Sequence, residues 1–457
     1  MRLYLINPFN RLVALAKLEQ NWWNRFRRWK PLSLMVLGGL TPPEWDVTII
    51  DENVSVPDYA TMPKPDLVGI TSFTSQANRA YEVAAEFRNL GVPVVMGGIH
   101  ASMCLDEASQ RVDSVVTGEA EGIWAQVLED ARNGNLKALY AGEHADMDKV
   151  PLARHDLLPS GYALGAIQTT RGCPLNCSFC SVTVFNGRGY RQRPIGDVVQ
   201  EFKLIQEKRV LIVDDNLIGT REEHIDRAKE LFRAMIRADL RKEWIAQVTV
   251  NMGEDDELLS LARKSGCKAV FIGFESPRED GVLEVRKKFN LREGCDYKTA
   301  IDRMHKHKIL VVGSFIMGLD TDEPGIGKQI AEASSGYGVD VLNAMFLTPL
   351  PGTRLWKEME SQDRIAANAF PEDWKYYTLL FPVAHYKHLS WADMLREMDE
   401  CDSTFFSRRR VLRRFLRNLC RMRNPIFGLA MDLSYRYNLP LNRKTYKEFS
   451  LAHGLEA

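Results

Sequence analysis

Three of the eight cysteines in this chain fall within eight residues, in Thr169-Thr170-Arg171-Gly172-Cys173-Pro174-Leu175-Asn176-Cys177-Ser178-Phe179-Cys180. Three thiolates on one short loop can hold three irons of a cubane iron–sulfur cluster. No fourth cysteine lies nearby, so one metal position stays open for a substrate or cofactor. Two other uses of the loop fit less well. A structural zinc site wants four ligands in two pairs. A thioredoxin-like Cys-x-x-Cys has no use for the third thiol. Cys104, Cys267, Cys295, Cys401 and Cys420 are scattered singly. They read as small buried hydrophobes of a reduced compartment.

A loop of this kind needs rigid elements to aim it. Before it, short β-rich runs (Arg2–Pro8, Asp46–Asp51, Asp66–Ser72, Pro93–Gly98, Ser114–Gly118) alternate with helix-period segments, notably Gln76–Leu90 and Glu121–Asn133. That rhythm predicts a doubly wound parallel sheet over residues 1–140. Ligands of such sheets sit beyond the carboxyl ends of the strands. There the chain carries Ser72, Thr74, Ser75, Gly97, Gly98, His100, Gly118 and Glu119. Glycines let a ligand approach the backbone, and hydroxyls can bond its amides. Residues 141–163 are rich in turn formers and read as a linker.

From Ala163–Thr170, which delivers the cysteine loop, the β/α rhythm resumes with Val210–Val213, Glu243–Val250, Ala269–Phe274, Ile309–Ile316 and Val341–Leu347. Six β/α units over residues 164–364 predict a partial barrel with its site at the carboxyl ends. Polar groups follow those strands: Asp214-Asp215-Asn216, Glu275-Ser276, Gly313-x-Phe315-x-x-Gly318 and Leu350-Pro351-Gly352-Thr353. Two adjacent carboxylates can accept hydrogen bonds from an ammonium. Beyond residue 365 the rhythm stops, and a mainly helical extension over 365–457 is expected.

The Cys-x3-Cys-x2-Cys loop, with Phe179 before the last cysteine, resembles the radical S-adenosylmethionine (SAM) superfamily. The resemblance implies a [4Fe-4S] cluster on Cys173, Cys177 and Cys180, with SAM chelating the fourth iron and yielding a 5′-deoxyadenosyl radical. It also implies SAM contacts at Asp214 and Asp215 (amino group), Glu275 and Ser276 (ribose or carboxylate region), and the Gly313/Gly318 turn (adenine side). A one-electron donor of the flavodoxin or ferredoxin type would be the partner. The domain placed before the loop resembles the cobalamin-binding domain of B12-dependent radical SAM enzymes. The Asp-x-His-x-x-Gly signature of a lower histidine ligand is absent, so His100 is expected near the corrin without ligating cobalt. Arg191-Gln192-Arg193-Pro194 is similar to a segment of this subgroup. Its arginines either offset cluster charge or bond loop carbonyls.

The family resemblance implies C-methylation of an unactivated carbon in a small-molecule or lipid-like substrate. A radical cyclisation or rearrangement is the alternative within the family. A non-catalytic SAM-sensing protein is the alternative outside it. A methylthiotransferase is disfavoured, because the N-terminal domain offers only Cys104 toward a second cluster.

Lysine plus arginine and aspartate plus glutamate balance at 60 each, so overall charge selects no polyanion. No apolar run is long enough to span a bilayer and no signal peptide is visible, so a cytoplasmic protein is expected. Two segments stand out from that balance. Asn21–Pro31 interleaves tryptophans with cations, and is read as a loop whose rings pack on the neighbouring domain. Arg408–Arg423 carries eight arginines beside an apolar stripe. It suits either packing on the barrel or contact with an anionic membrane surface. No nucleic-acid partner is expected. His305 and His307, two apart in a charged helix, are read as solvent or packing residues.

Overall fold

The computed structural model describes residues 1–13, 21–158, 160–421 and 424–455. Pro159 of the linker and Arg423 of the basic segment lie outside the described residues.

The first sheet has six parallel strands: β1 (Arg2–Asn7), β2 (Asp46–Asp51), β3 (Leu67–Thr71), β4 (Val94–Gly97), β5 (Ser114–Thr117) and β6 (Leu139–Ala141). Their order is β2-β1-β3-β4-β5-β6. β1 reads Leu-Tyr-Leu-Ile through its buried centre, as a strand covered on both faces must. The chain reverses direction across the sheet between β1 and β3, which opens a crevice at their carboxyl ends. β6 extends the sheet at the edge of the segment read as linker.

A two-stranded antiparallel ribbon frames the cysteine loop: β8 (Thr170–Arg171) pairs with β9 (Arg191–Gln192). The second large sheet joins β7 (Gly165–Ile167), β10 (Arg209–Ile212), β11 (Glu243–Val248), β12 (Cys267–Glu275), β13 (Leu310–Met317) and β14 (Val341–Phe346). Its order is β14-β13-β12-β11-β10-β7, all parallel, so the barrel is open between β7 and β14. Amphipathic helices cover its outside. Glu222–Arg237, for example, buries His224, Ala228, Leu231, Phe232 and Met235 along one stripe and begins on Glu222 and Glu223.

Two elements that strand periodicity does not announce complete the barrel. A 28-residue helix, Pro425–Ala452, packs Met431 against Val312 and Val341, and the Tyr435 hydroxyl donates to the side-chain Oδ1 of Asn343 at 3.3 Å. A short 3-10 helix, Trp22–Arg27, locks onto it through Asn21, whose amide donates to Asn438 at 2.8 Å and to the Ser434 carbonyl at 3.0 Å. A segment after the barrel then ties the two domains together. Trp374 donates to Glu107 at 3.0 Å, and Asn10 and Asn78 donate to the Lys375 and Pro371 carbonyls.

Several sequence expectations change. Trp22 is 54% exposed and Trp29 46% exposed, so these rings do not pack away as expected. Cys420 is exposed rather than buried. His305 is a packing residue, buried against Asp340 at 2.8 Å, and His307 pairs with Asp256 at 2.9 Å.

Candidate functional site

The cysteine loop leaves β8 through Gly172, whose φ is +88°. A Cβ there would sit 2.2 Å from the Gly189 carbonyl oxygen, so only glycine permits the turn. The next layer is a set of carboxylates. Asp214 is fully buried and accepts from the Thr169 N–H at 2.5 Å and from the Thr169 and Thr170 hydroxyls at 2.6 and 2.9 Å. Asp215 accepts from the Gly172 N–H and the Asn186 amide, each at 2.9 Å. Both carboxylates thus hold the loop in place. Asp214 is fully buried, whereas Asp215 is only partly so.

Burial pushes the thiols up, to about 12 at Cys177 and about 11 at Cys180, with Cys173 raised as well. Among the described residues, no three His, Cys, Asp or Glu side chains converge on one point as ligands of a single ion do. In a cubane each cysteine binds a different iron, so three thiols on one loop need not converge on one point to hold it. All three are free.

Glu275 ends β12 in the left-handed region, at φ +68°. Its carboxylate receives Lys287 Nζ at 2.6 Å, and Lys287 also donates to the Gly273 carbonyl at 2.8 Å. Burial pulls the Lys287 ammonium down, but Glu275 and the thiolates of Cys177 and Cys173 outweigh it and hold it above the usual lysine range. Lys287 is the functional residue that sequence reasoning missed: within Arg286-Lys287-Lys288 it reads as a solvated charge. Ser276 is buried, its oxygen accepting from the Arg278 N–H. Gly313 lies within β13, where a Cβ would meet Val339 at 2.9 Å. Gly318 turns just past that strand, its N–H held by Asp322 at 2.8 Å.

Of the N-terminal residues, Gly97 ends β4, Gly98 and Gly118 follow β4 and β5, and Ser72, Thr74 and Ser75 follow β3. A Cβ on Gly98, at φ +92°, would meet the Thr71 hydroxyl at 2.8 Å. Ser72 and Thr74 are buried, while Phe73 between them is 67% exposed beside the β1/β3 crevice. That exposed ring was also missed, and its placement needed the fold. His100 is fully buried, with Nε2 2.9 Å from the Tyr81 hydroxyl. Such a ring cannot present Nε2 to a ligand at the strand ends. Backbone at glycines and hydroxyls line these strand ends, and with His100 Nε2 taken up by Tyr81 they fit a flat corrinoid not ligated through that nitrogen.

Glu119, at the end of β5, does not face a crevice alone. It accepts from Arg171 at 2.6 Å and from Arg191 at 2.9 Å, while Glu121 takes the other Arg171 nitrogen at 2.8 Å. Burial pushes the Glu119 carboxyl up, but Arg191 and Arg171 outweigh it and hold it below the usual range. Arg171 is two residues before Cys173. The carboxyl end of β5 is therefore pinned to the β8/β9 ribbon beside the cysteine loop. Arg191 also bonds the Ala145 carbonyl and Arg193 the Gln168 carbonyl, so this segment ties loops together.

Comparison with known proteins agrees with this architecture. The radical SAM superfamily model matches residues 167–325, and the B12 binding domain model matches residues 25–128. The bacteriochlorophyllide d C-12(1)-methyltransferase of Chlorobaculum tepidum is 30% identical over 351 residues, covering 73% of this chain and 74% of that protein. The anaerobic magnesium-protoporphyrin IX monomethyl ester cyclase of Rubrivivax gelatinosus is 24% identical over 430 residues, covering 84% and 73%. Among solved structures, the cobalamin-dependent SAM radical enzyme OxsB superposes with a TM-score of 0.67 at 14% identity, covering 99% of this chain and 75% of that one. The methyltransferase TsrM from Kitasatospora setae, with cobalamin and a [4Fe-4S] cluster bound, gives 0.61 at 18% identity, covering 79% and 75%. These two likenesses show the fold. The chain belongs to the radical SAM superfamily and carries its B12-binding domain.

Proposed function

We propose that this protein is a cobalamin-dependent radical SAM C-methyltransferase acting on an unactivated carbon of a small-molecule or lipid-like substrate. The observation that supports this reading is the Glu119–Arg171–Arg191 clamp, which joins the carboxyl end of β5 in the B12-binding domain to the residues flanking the cysteine loop. Cys173, Cys177 and Cys180 would hold a [4Fe-4S] cluster. Asp215, Glu275, Ser276 and the Gly313/Gly318 region would line the SAM site, with Asp214 positioning the loop beneath it. Ser72, Thr74, Ser75, Gly97, Gly98, Gly118 and the exposed Phe73 would line the cobalamin site, with His100 and Glu119 shaping it from behind.

When bound, the cluster and SAM supply a radical able to take hydrogen from carbon, and the corrinoid supplies a methyl group. The chain's own residues have three tasks. The Asp214 and Asp215 bonds fix the cysteine loop. Lys287 sets a positive charge beside the thiolates, where it offsets the cluster's negative charge. The Trp374 segment and the terminal helix close the space between domains and the open seam of the barrel, which keeps water out. An electron comes from a flavodoxin- or ferredoxin-type donor, because the cluster must be reduced before it can act. We place the protein in the cytoplasm, with peripheral membrane contact through Arg408–Arg423. No described helix is long and apolar enough to cross a membrane.

The test is anaerobic purification with cobalamin, followed by incubation with SAM and a reductant. S-adenosylhomocysteine together with 5′-deoxyadenosine is the expected outcome. Deoxyadenosine alone favours cyclisation, a reading supported by the likeness to the cyclase of Rubrivivax gelatinosus. Neither product, from protein that has bound a corrinoid, rejects both. Replacing the three cysteines with Ala removes the iron and the visible absorbance, and an intact cluster in that variant refutes the ligand assignment.

A further inference from the structure

The amino-terminal ends of the barrel strands form a face that the reaction does not use. Two cavities open there. One, of about 780 Å³, is lined by Lys298, Lys306, Lys308, Arg417 and Arg421 among others, with Asp302 the only carboxylate. The other, of about 490 Å³, is lined by Trp22, Arg25, Phe26, Arg28 and Arg209 among others and has no carboxylate. Each contains an arginine whose Nε is buried without a partner, Arg417 in the first and Arg28 in the second. A buried N–H donor without an acceptor is costly, and an anion entering the cavity would satisfy it.

The cavities belong to one surface. The first turn of the Pro425–Ala452 helix lies between them: Asn424 donates to the Lys308 carbonyl at 3.1 Å, and Phe427 lies 5.8 Å from the Arg209 guanidinium. At that turn Ile426 is 81% exposed. Beside it the Arg408–Cys420 helix buries Val411, Arg414 and Asn418 and leaves Leu412, Leu416 and Leu419 exposed on the opposite side. Among the described residues, Arg408, Arg409, Arg413 and Arg421 have no carboxylate within 4.0 Å. Carboxylates pair with some cations of this face, Glu243 with Arg209 and Asp302 with Lys298, but exposed apolar side chains among the unpaired arginines complement an anionic bilayer and not an ordinary aqueous surface.

We propose that this barrel floor, built jointly by Trp22–Arg28, the Arg408–Cys420 helix and the first turn of the Pro425–Ala452 helix, docks on anionic phospholipid. Headgroup phosphates enter the two cavities, and Trp22, Ile426 and the leucine stripe lie at the acyl boundary. This rests on the peripheral-contact reading above and goes beyond it. The docking face includes an N-terminal element, and it turns the cysteine loop, at the other end of the strands, away from the bilayer. The contact therefore anchors the enzyme without feeding its mouth from the membrane directly beneath it.

The test uses the full chain with phosphatidylcholine vesicles, with and without phosphatidylglycerol, at low and high salt. Binding is expected on the phosphatidylglycerol vesicles and is suppressed by salt. Arg409→Gln/Arg413→Gln lowers it about 25-fold, at about fivefold per charge. Trp22→Ser/Arg25→Gln and Leu412→Ser/Leu416→Ser each lower it about tenfold or more. All these side chains are wholly or partly exposed, and an unchanged melting temperature certifies each variant. If only the variants of the basic helix lose binding, the Arg408–Arg423 contact stands and the joint floor is refuted. If the folded wild type binds no vesicle, both fall. Binding to duplex DNA in place of vesicles also overturns the proposal. None of these outcomes bears on methyl transfer, which is assayed without lipid.

Discussion

Lys287 and Glu275 form a nearly buried ion pair at 2.6 Å beside the cysteine loop. Removing one partner of such a pair leaves an uncompensated charge, which costs about 3–5 kcal/mol. Lys287→Met therefore lowers the melting temperature sharply, and Lys287→Met/Glu275→Gln recovers most of the loss. An equal loss in the double variant would mean that the pair is not what stabilises the strand end. At Gly172 the argument is steric. Gly172→Ala forces a Cβ to within 2.2 Å of a carbonyl oxygen at positive φ, so it costs more than about 1 kcal/mol. Iron content per chain falls with it, and a variant that keeps full iron would show that the loop tolerates another path. The cysteines and Gly172 were legible because their chemistry is local. Lys287 was not, because its meaning depends on Glu275, twelve positions away, folding over it.

At the scale of elements, the turn after β13 hangs on one carboxyl. Asp322 is buried and accepts from the Gly318 and Leu319 N–H groups at 2.8 and 3.0 Å. Burial raises it to about 7, only partly offset by those N–H groups. The folded chain thus keeps a proton that the unfolded chain has released, so Asp322 subtracts stability as pH rises from about 4 to about 7. In Asp322→Asn this decline is absent. Measured by melting temperature, the variant gains on the wild type between about pH 5 and about pH 8, and parallel curves would refute the assignment. The eleven strands named from the sequence lie within a few residues of their observed ends, because fully buried parallel strands are continuous apolar runs, whereas the short β6, β8 and β9 were not foreseen. The Pro425–Ala452 helix escaped notice. It carries Pro440 and mixes buried polar residues such as Ser434 and Asn438 with its apolar ones, and their partners come from residues 21–24.

For the whole molecule, the Glu119 clamp joins the domains. Glu119→Ala leaves the buried Arg171 and the partly buried Arg191 without their shared carboxylate, and it also frees the Ala145 N–H that bonds it at 2.8 Å. The expected result is faster proteolysis within residues 141–163 and loss of cluster-dependent SAM cleavage at unchanged secondary structure. Unchanged cleavage rates would show that the Trp374–Glu107 strap alone holds the domains. That strap and the clamp connect residues far apart in the chain, so no local pattern announces them.

By itself the sequence determined the cysteine loop, the two parallel α/β units and their order. Thiol spacing and apolar periodicity are properties of neighbouring residues, and they survive without knowing the fold. Only the tertiary structure decided what the loop faces, which carboxylates remain available and which surfaces stay uncovered. It turned Asp214 inward and closed His100 off. It joined Asn21 to a helix some 400 residues later. Those outcomes depend on burial and on long-range hydrogen bonds, and both exist only once distant segments have packed.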